Sequence, residues 1–448
     1  MQLPVPAVVR GIAARLEEAG FETWTVGGAI RDALLGIPHG DWDLATAATP
    51  QQVKRVFRRI VPVGIEHGTV GVLDDAGVMH EVTTFRRDVK TTGRHAVVEF
   101  GASLDEDLAR RDFTINAIAY HPLRHELRDP FGGRDDLRAR RLRTVGDARA
   151  RFAEDYLRVL RALRFAGRFD LAVDADTWAA IGPALDGLPQ LSGERVREEL
   201  WKVLTSTARA SRTLATYESS GVLRVLYPEL AETVGLRARD DDPADAWTRA
   251  LHAVDALPRT RPVLRVAALL HPIGMPAARA RDLRGGLRFT GHPTPGARRA
   301  GEVMKRLRAS NADIDRVQRL VQHQEDFFPP DAPEAGIRRW LRDVGPDLVA
   351  DLLRLRIALE RADAAIAGRP VADDVIERVR AARRLLATRP PLSIADLAIG
   401  GAELSELGIS PGPRYGEILR GLLAEVIERP ELNEREALMR RVRELTAE

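Results

Sequence analysis

Strand signals in this chain of 448 residues are confined to its first third, and that asymmetry constrains the fold more than any other feature. "FETWTV", "DWDLA", "GTVGVL" and "VMHEVTTF" read as strands, the last two joined through Asp74-Asp75-Ala76-Gly77 as a hairpin, whereas Ala29 to Leu35 and Pro50 to Arg59 read as helices. After Thr144 strand patterns almost vanish and long helical stretches follow, among them Glu154 to Phe169, Ser192 to Thr205, Gln318 to Phe327 and Glu434 to Thr446. The expected class is α+β, a small α/β head on a long all-α neck, body and tail. We divide it into a head over 1–143, a neck over 144–210, a body over 211–345 and a tail over 346–448. Linkers are expected at Asp240 to Pro243, Phe328 to Pro333 and Arg389 to Pro391.

Bulk properties exclude several classes. The absence of cysteine removes disulfides, thiolate catalysis and zinc–cysteine sites, so any metal is held by oxygen or histidine nitrogen. No apolar run is long enough to span a bilayer, and "MQLPVPAVVRGIAARLEEAG" reads as an amphipathic helix and not as a signal peptide, so no membrane association is expected and the cytoplasm is the expected compartment. A formal charge of +3 gives no strong global pull on nucleic acid, so such contacts must come from local basic patches. Among 68 basic residues only Lys54, Lys90, Lys202 and Lys305 are lysine.

The stretch "VGGAIRDALLGIPHGDWDL", Val26 to Leu44, sets groups that suit an anion beside groups that repel one. Gly27 and Gly28 lie between a strand and the helix of Arg31, where backbone N–H groups can approach a phosphate. Asp41 and Asp43 alternate out to one side of a predicted strand, roughly 7 Å apart, and two carboxylates so close call for a cation. Mg2+, which takes few carboxylates and keeps positions open for phosphate oxygens, is the natural occupant. Glu81 in "HEVTTF", on a strand able to neighbour the first, is the candidate third carboxylate. Glycine turn and Arg31 can hold a triphosphate tail, while Asp41 and Asp43 hold the metal that bridges it to the reacting phosphorus.

The string G-G-x-[VI]-R-D-x-L-L-G followed by D-x-D resembles the signature of the DNA polymerase β-like nucleotidyltransferases, in the branch of bacterial-type (class II) tRNA CCA-adding enzymes and poly(A) polymerases. Further motifs follow in the same order: "GIEHGTVGV", "EVTTFR", "RRDFTINAIAY", "DPFGGRDDL", "EDYLRVLRALRFAGRF" and "LSGERVREEL", over about 175 residues. The resemblance implies that Gly28, Arg31, Arg111, Arg161 and Arg164 contact the nucleotide and that Asp112 and Asn116 contact its ribose. Asp155 and Arg158, three apart on a predicted helix, face the same way. Given a triphosphate site, the Asp155 carboxylate can accept from the amino group of cytosine or adenine while Arg158 donates to the adjacent ring acceptor. Uracil and guanine present a carbonyl there, at a cost of about 1 to 3 kcal/mol per wrong base. In the family this motif serves as a protein template. The implied reaction is attack by the 3′-hydroxyl of a tRNA on the α-phosphorus of CTP or ATP, and the implied partners are the 3′ end and acceptor arm of tRNA.

CC- or A-adding partial enzymes and poly(A) polymerases share these motifs, and a catalytically dead RNA-binding protein is a reading from another class. "VPVGIEHGTVGV" resembles the CCA-adding form; the arginine-rich segment typical of poly(A) polymerases is absent. In the loop Arg87 to Glu99, relatives often read D-G-R-R-P where this chain has Thr92-Gly93-Arg94-His95-Ala96. "LLHPIGMP" and "FTGHPTPGA" resemble an HD phosphohydrolase domain in which Pro272 and Pro293 replace the acidic partners and Arg249 stands for the leading histidine, so no phosphohydrolase activity is expected of His252, His271, His292 and His323. The last hundred residues carry no motif; by position they are candidates for holding the tRNA elbow.

Overall fold

A computed structural model describes residues 2–38, 40–65, 68–92, 95–207, 209–237, 241–281 and 286–447. The chain divides into two compact units, Met1–Leu226 and Tyr227–Glu448.

The first unit holds the sheet. In chain order its elements are α1 (Ala7–Glu18), β1 (Thr23–Val26), α2 (Gly28–Leu34), β2 (Asp43–Thr46), α3 (Pro50–Val56), β3 (Ile60–Gly64), β4 (Thr69–Leu73) and β5 (Met79–Thr84). A separate hairpin, β6 (Arg86–Thr92) with β7 (His95–Phe100), precedes α4 (Leu104–Ala109), β8 (Ala119–Tyr120), β9 (Leu127–Arg128) and α5 (Gly133–Arg138). Seven strands form one sheet in the order β3-β4-β5-β2-β1-β8-β9, antiparallel except where β2 runs parallel to β5. Every residue of the interior strand β1 is buried, and Trp24 and Val26 pack with Phe85, Leu104 and Leu108 in the head core.

Next come α6 (Ala148–Glu154), α7 (Leu157–Phe169), the short α8 (Ala175–Ala179) and α9 (Ile181–Ala184), and then α10 (Gly193–Ser206) and α11 (Ala210–Ser219). Apolar residues of α7 at helical spacing, Val159, Leu160, Leu163 and Phe165 among them, are buried and turn the arginines of the helix to one side.

The second unit is helical apart from one pair of two-residue strands among its described residues. The predicted linkers at 328–333 and 389–391 are loops between its helices; Asp240 lies outside the described residues. Among the described residues, no helix is long and apolar enough to cross a membrane.

Four sequence expectations shift. The "DWDL" strand begins only at Asp43, because its partner β1 ends at Val26, the residue paired with Asp43, and the chain turns away at Gly27; Asp41 precedes the ladder. The helix from Pro50 stops at Val56, since Ile60 and Val61 are drawn into pairing with β4. The helix expected at Gln318 to Phe327 is Asn311–Gln322, started by the Ser310 cap. The stretch from Glu154 to Phe169 is two helices: Asp155, at φ −155° and ψ 106°, breaks it, and its carboxylate accepts the Leu157 N–H at 3.1 Å. Aspartate favours such local capping over the helix interior.

Candidate active site

Strand pairing assembles the acidic side of the site. Val26 sits opposite Asp43, so the glycine turn leaves β1 beside the first carboxylates. Leu44 pairs with Val82 in the parallel β2–β5 ladder, which sets Asp43 and Glu81 at matching positions on neighbouring strands. Gly27 turns at φ +77° and ψ −135°, and a Cβ built on it would lie 3.1 Å from the Arg111 guanidinium. The positive φ calls for glycine, and a Cβ there would also push the arginine by a few tenths of an ångström. Gly27→Ala is expected to cost about 1–3 kcal/mol in backbone strain and to raise the KM for nucleotide by displacing Arg111. Steady-state kinetics beside a denaturant melt would check both.

A cavity of about 940 Å³ opens in front of these residues. Every candidate named from the sequence lines it: Asp41, Asp43 and Glu81; Gly27, Gly28 and Arg31; Arg111, Asp112 and Asn116; and Asp155, Arg158, Arg161 and Arg164. Reasoning from sequence missed Arg110, Leu157, Phe165, Arg168, Arg195, Lys202 and Ser206 on the same walls. The signals existed: Arg168 continues the Arg161–Arg164 stripe by one turn, and Arg195 and Lys202 are seven apart on α10, hence on one face.

Carboxylates set behind the walls hold the cations in place. Arg31, 4% exposed, reaches Asp32 through Nε at 2.8 Å and Nη2 at 2.6 Å, and donates from Nη1 to Asn116 Oδ1 at 2.5 Å. Asn116 Nδ2 donates to Asp112 Oδ1 at 2.9 Å, and Asp112 Oδ2 accepts from Arg161 Nε at 2.7 Å. A continuous line of hydrogen bonds thus joins α2 to α7. Arg164 Nε donates to Glu199 at 2.6 Å, and Lys202 lies 3.2 Å from the same carboxylate. Asp107 holds both Arg110 and Arg111. Arg31 and Arg164 also lie over the Phe165 ring, at 5.1 and 4.2 Å. The Arg111 Nε is buried with no hydrogen-bond partner among the described residues, while its Nη1 and Nη2 donate to the Asn116 carbonyl and to Asp107.

Asp155 and Arg158 share the cavity, joined through the backbone, where the Arg158 N–H donates to the Asp155 carbonyl at 3.0 Å, while their side chains take other partners. Arg195 grips Asp155, and Arg158 donates to Glu154 at 2.5 Å and to the Arg110 carbonyl at 3.2 Å. Two of the acids behind this wall titrate abnormally. Burial works to raise the Asp112 carboxyl, but the Arg161 charge and hydrogen bonds from Asn116, Arg161 and the Phe113 N–H outweigh it, and the pKa falls below the usual carboxylate range. Glu199 falls likewise, burial being outweighed by Arg164. A carboxylate depressed in the folded state contributes stability that is complete above its unfolded pKa, about 4, and is lost as pH falls through the folded value. The melting temperature is therefore expected to drop on acidification below about pH 4, the unfolded carboxylate value. Glu199→Gln should show a lower plateau and a shallower acid limb in thermal melts across pH.

Asp41 is exposed and Asp43 and Glu81 half-buried. Among the described residues, no group of three or more His, Asp or Glu encloses a metal position. An open set of carboxylate oxygens fits a hard divalent ion that shares its remaining positions with phosphate oxygens and water, and does not fit a closed structural cage.

Three of the four histidines of the second unit are engaged locally. The His271 ring lies 2.8 Å from the Ala268 carbonyl and its pKa is pushed down to about 4 by burial, so it is neutral. His292 contacts the Phe289 carbonyl at 3.1 Å, and His323 contacts Asp326 at 2.8 Å. His252 is exposed, and Arg249 forms an ion pair with Asp363. The variant loop sequence at Thr92 to Ala96 includes Gly93 and Arg94, outside the described residues, and the side chains of its other positions are likewise not described.

Carboxylates at and just before a strand, across a cavity from a row of guanidinium groups, suit phosphoryl transfer; the chain is a nucleotidyltransferase, and its mixed sheet is the polymerase β-like head of that class. Residues 23–143 match the Poly A polymerase head domain, and residues 170–233 match the probable RNA and SrmB-binding site of polymerase A. The chain is 34% identical to the CCA-adding enzyme of Latilactobacillus sakei over 96% of both chains, and 34% identical to that of Geobacillus stearothermophilus over 96% of this chain and 94% of the relative. A match to the CCA-adding enzyme of Leuconostoc mesenteroides, at 44% identity, spans 48% of this chain and about half, 53%, of that one. The crystal structure of the Bacillus stearothermophilus CCA-adding enzyme in complex with CTP superposes with a TM-score of 0.71 at 30% identity, over 98% of each chain. The chain belongs to the CCA-adding enzyme family.

Proposed function

We propose that this protein adds C, C and A, without a nucleic-acid template, to the 3′ end of tRNA from CTP and ATP, releasing pyrophosphate. The observation that carries the reading is the convergence of all thirteen candidate residues, drawn from the turn after β1, from α2, the start of β2 and the residues before it, β5, the 111–116 segment, the break at Asp155 and α7, on one cavity. Relatedness over nearly the whole of two CCA-adding enzymes supports the same substrate. The working compartment is the cytoplasm. The four-part division also stands as a proposal: head for chemistry, neck for base reading, body as scaffold, and tail for the tRNA elbow.

The 3′ oxygen of tRNA forms a bond to the α-phosphorus as the bond from that phosphorus to the bridging oxygen of the leaving pyrophosphate breaks. Asp41 and Asp43 would hold Mg2+, with Glu81 as a further carboxylate beside them; such an ion would supply a lowered pKa at the attacking hydroxyl and charge neutralisation at the pyrophosphate. Arg31 and Arg111 grip the polyphosphate, their positions fixed in advance by Asp32, Asn116 and Asp107. Asp112 and Asn116, buried and already bonded to Arg161 and Arg31, face the ribose. Asp155 accepts from the amino group of C or A, and Arg158 donates to the neighbouring ring nitrogen.

The test is incubation with magnesium and a tRNA transcript lacking CCA, with CTP alone, ATP alone or both, sized at single-nucleotide resolution. Growth by two with CTP and by three with both is expected. A stop at two with both indicates a CC-adding enzyme, a long tail from ATP a poly(A) polymerase, and no extension a dead transferase.

A further inference from the structure

The carboxylate that faces the incoming base is not left to find its own orientation. Arg195, on α10 and forty positions further along the chain, donates from Nη1 to Asp155 Oδ1 at 3.0 Å and from Nη2 to Oδ2 at 2.7 Å. A two-pronged pair of this kind fixes the plane of the carboxylate as well as its place. The Leu157 N–H donates to the same Oδ1 at 3.1 Å. A carboxylate oxygen has two lone-pair sites. Oδ1 is therefore filled by Arg195 and Leu157, while Oδ2 retains one site beyond its bond to Arg195. Both side chains are about three-quarters buried, and both line the cavity.

We propose that Arg195 is a specificity-determining positioning residue: by occupying the other acceptor sites it leaves Asp155 with a single aimed acceptor, on Oδ2, sized for one amino hydrogen of cytosine or adenine. A carboxylate free to rotate could swing aside from the carbonyl of uracil or guanine. Held by the fork, it meets that carbonyl oxygen-to-oxygen, and discrimination follows from the rigidity of the acceptor as much as from its identity. Lysine cannot reproduce this, because one ammonium supplies charge without the fixed fork. The assignment rests on the base-reading role given above to Asp155.

The experiment measures single-turnover addition of CTP and of UTP to a tRNA lacking CCA, by wild type, R195A, R195K, D155N and the double variant R195A/D155N, with thermal melts alongside. R195A is expected to lower the CTP-over-UTP preference by about tenfold, chiefly through a raised KM for CTP. R195K is expected to show a smaller fall of the same sign, and it carries the test if R195A loses its melting transition. Adding R195A to D155N should leave the D155N preference unchanged, since there is no carboxylate left to aim. Equal slowing of CTP and UTP in R195A and R195K, or R195A and D155N effects on preference that multiply, would overturn the assignment and leave Arg195 a plain brace for the neck. A wild-type protein that adds no nucleotide would refute the function itself, and this assignment with it.

Discussion

Replacing Asp41 and Asp43 together by asparagine is expected to abolish nucleotide addition while leaving the melting temperature within a degree or two of wild type. Asparagine keeps the shape and one oxygen of each side chain but removes both negative charges from the place where a divalent ion must sit. The rate loss should be on the order of a thousandfold or more, since removal of even one preorganised charge-stabilising group commonly costs 10² to 10³. Stability is spared because Asp41 is exposed and precedes the β-ladder, and Asp43 is half-buried at its first rung. Single-turnover assays across a magnesium titration, beside a thermal melt, would check both halves. Residual addition within tenfold of wild type at saturating magnesium would show that these carboxylates are not the metal ligands.

The largest stability effect is expected at Arg31, where binding and folding use the same side chain. Arg31→Ala takes from Asp32, 1% exposed, the fork that holds it at 2.8 and 2.6 Å, and takes the donor from Asn116 Oδ1. It also removes the guanidinium from above Phe165 and Phe169. Breaking a buried ion pair from one side costs about 3–5 kcal/mol, because the abandoned charge stays desolvated. Arg168, 3.5 Å from Asp32, offsets part of this, so the lower end of that range is expected. Denaturant unfolding would read it. Arg31→Lys should recover some stability and little nucleotide affinity, since an ammonium cannot serve Asp32, Asn116 and a phosphate together. An alanine variant as stable as wild type would mean that Asp32 is held by its other neighbours.

Much of this site could be read from the chain because its chemistry is local in sequence. A glycine pair, an arginine four residues on and a D-x-D pattern fall within nineteen positions, and period-two alternation gives the strands that carry them. What stayed hidden depends on distant contacts. Nothing in "EDYLRVLRALRF" marks a break, because Leu157, Leu160 and Leu163 keep helical spacing while Asp155 leaves the helix to cap the next one. Arg195 looked ordinary among so many arginines, and only the packing of the neck places it against Asp155. Glu199, wholly inside, is invisible as a keystone until Arg164 and Lys202 are seen on either side of it. The end of β2 at Asp43 was likewise decided elsewhere, by where its partner strand stops.

The line of hydrogen bonds from Arg31 through Asn116 and Asp112 to Arg161 has a mechanical consequence. It welds α2, to which we assign the phosphates, to α7, to which we assign the base, so that neither can be displaced without straining three bonds. A protein built this way cannot retune its grip for C and then for A by sliding one wall past the other. Asp155 and Arg158 lie off that line but are held in their turn, Asp155 by the Arg195 fork and Arg158 by Glu154 and the Arg110 and Arg151 carbonyls. The cavity is a vice braced on both jaws.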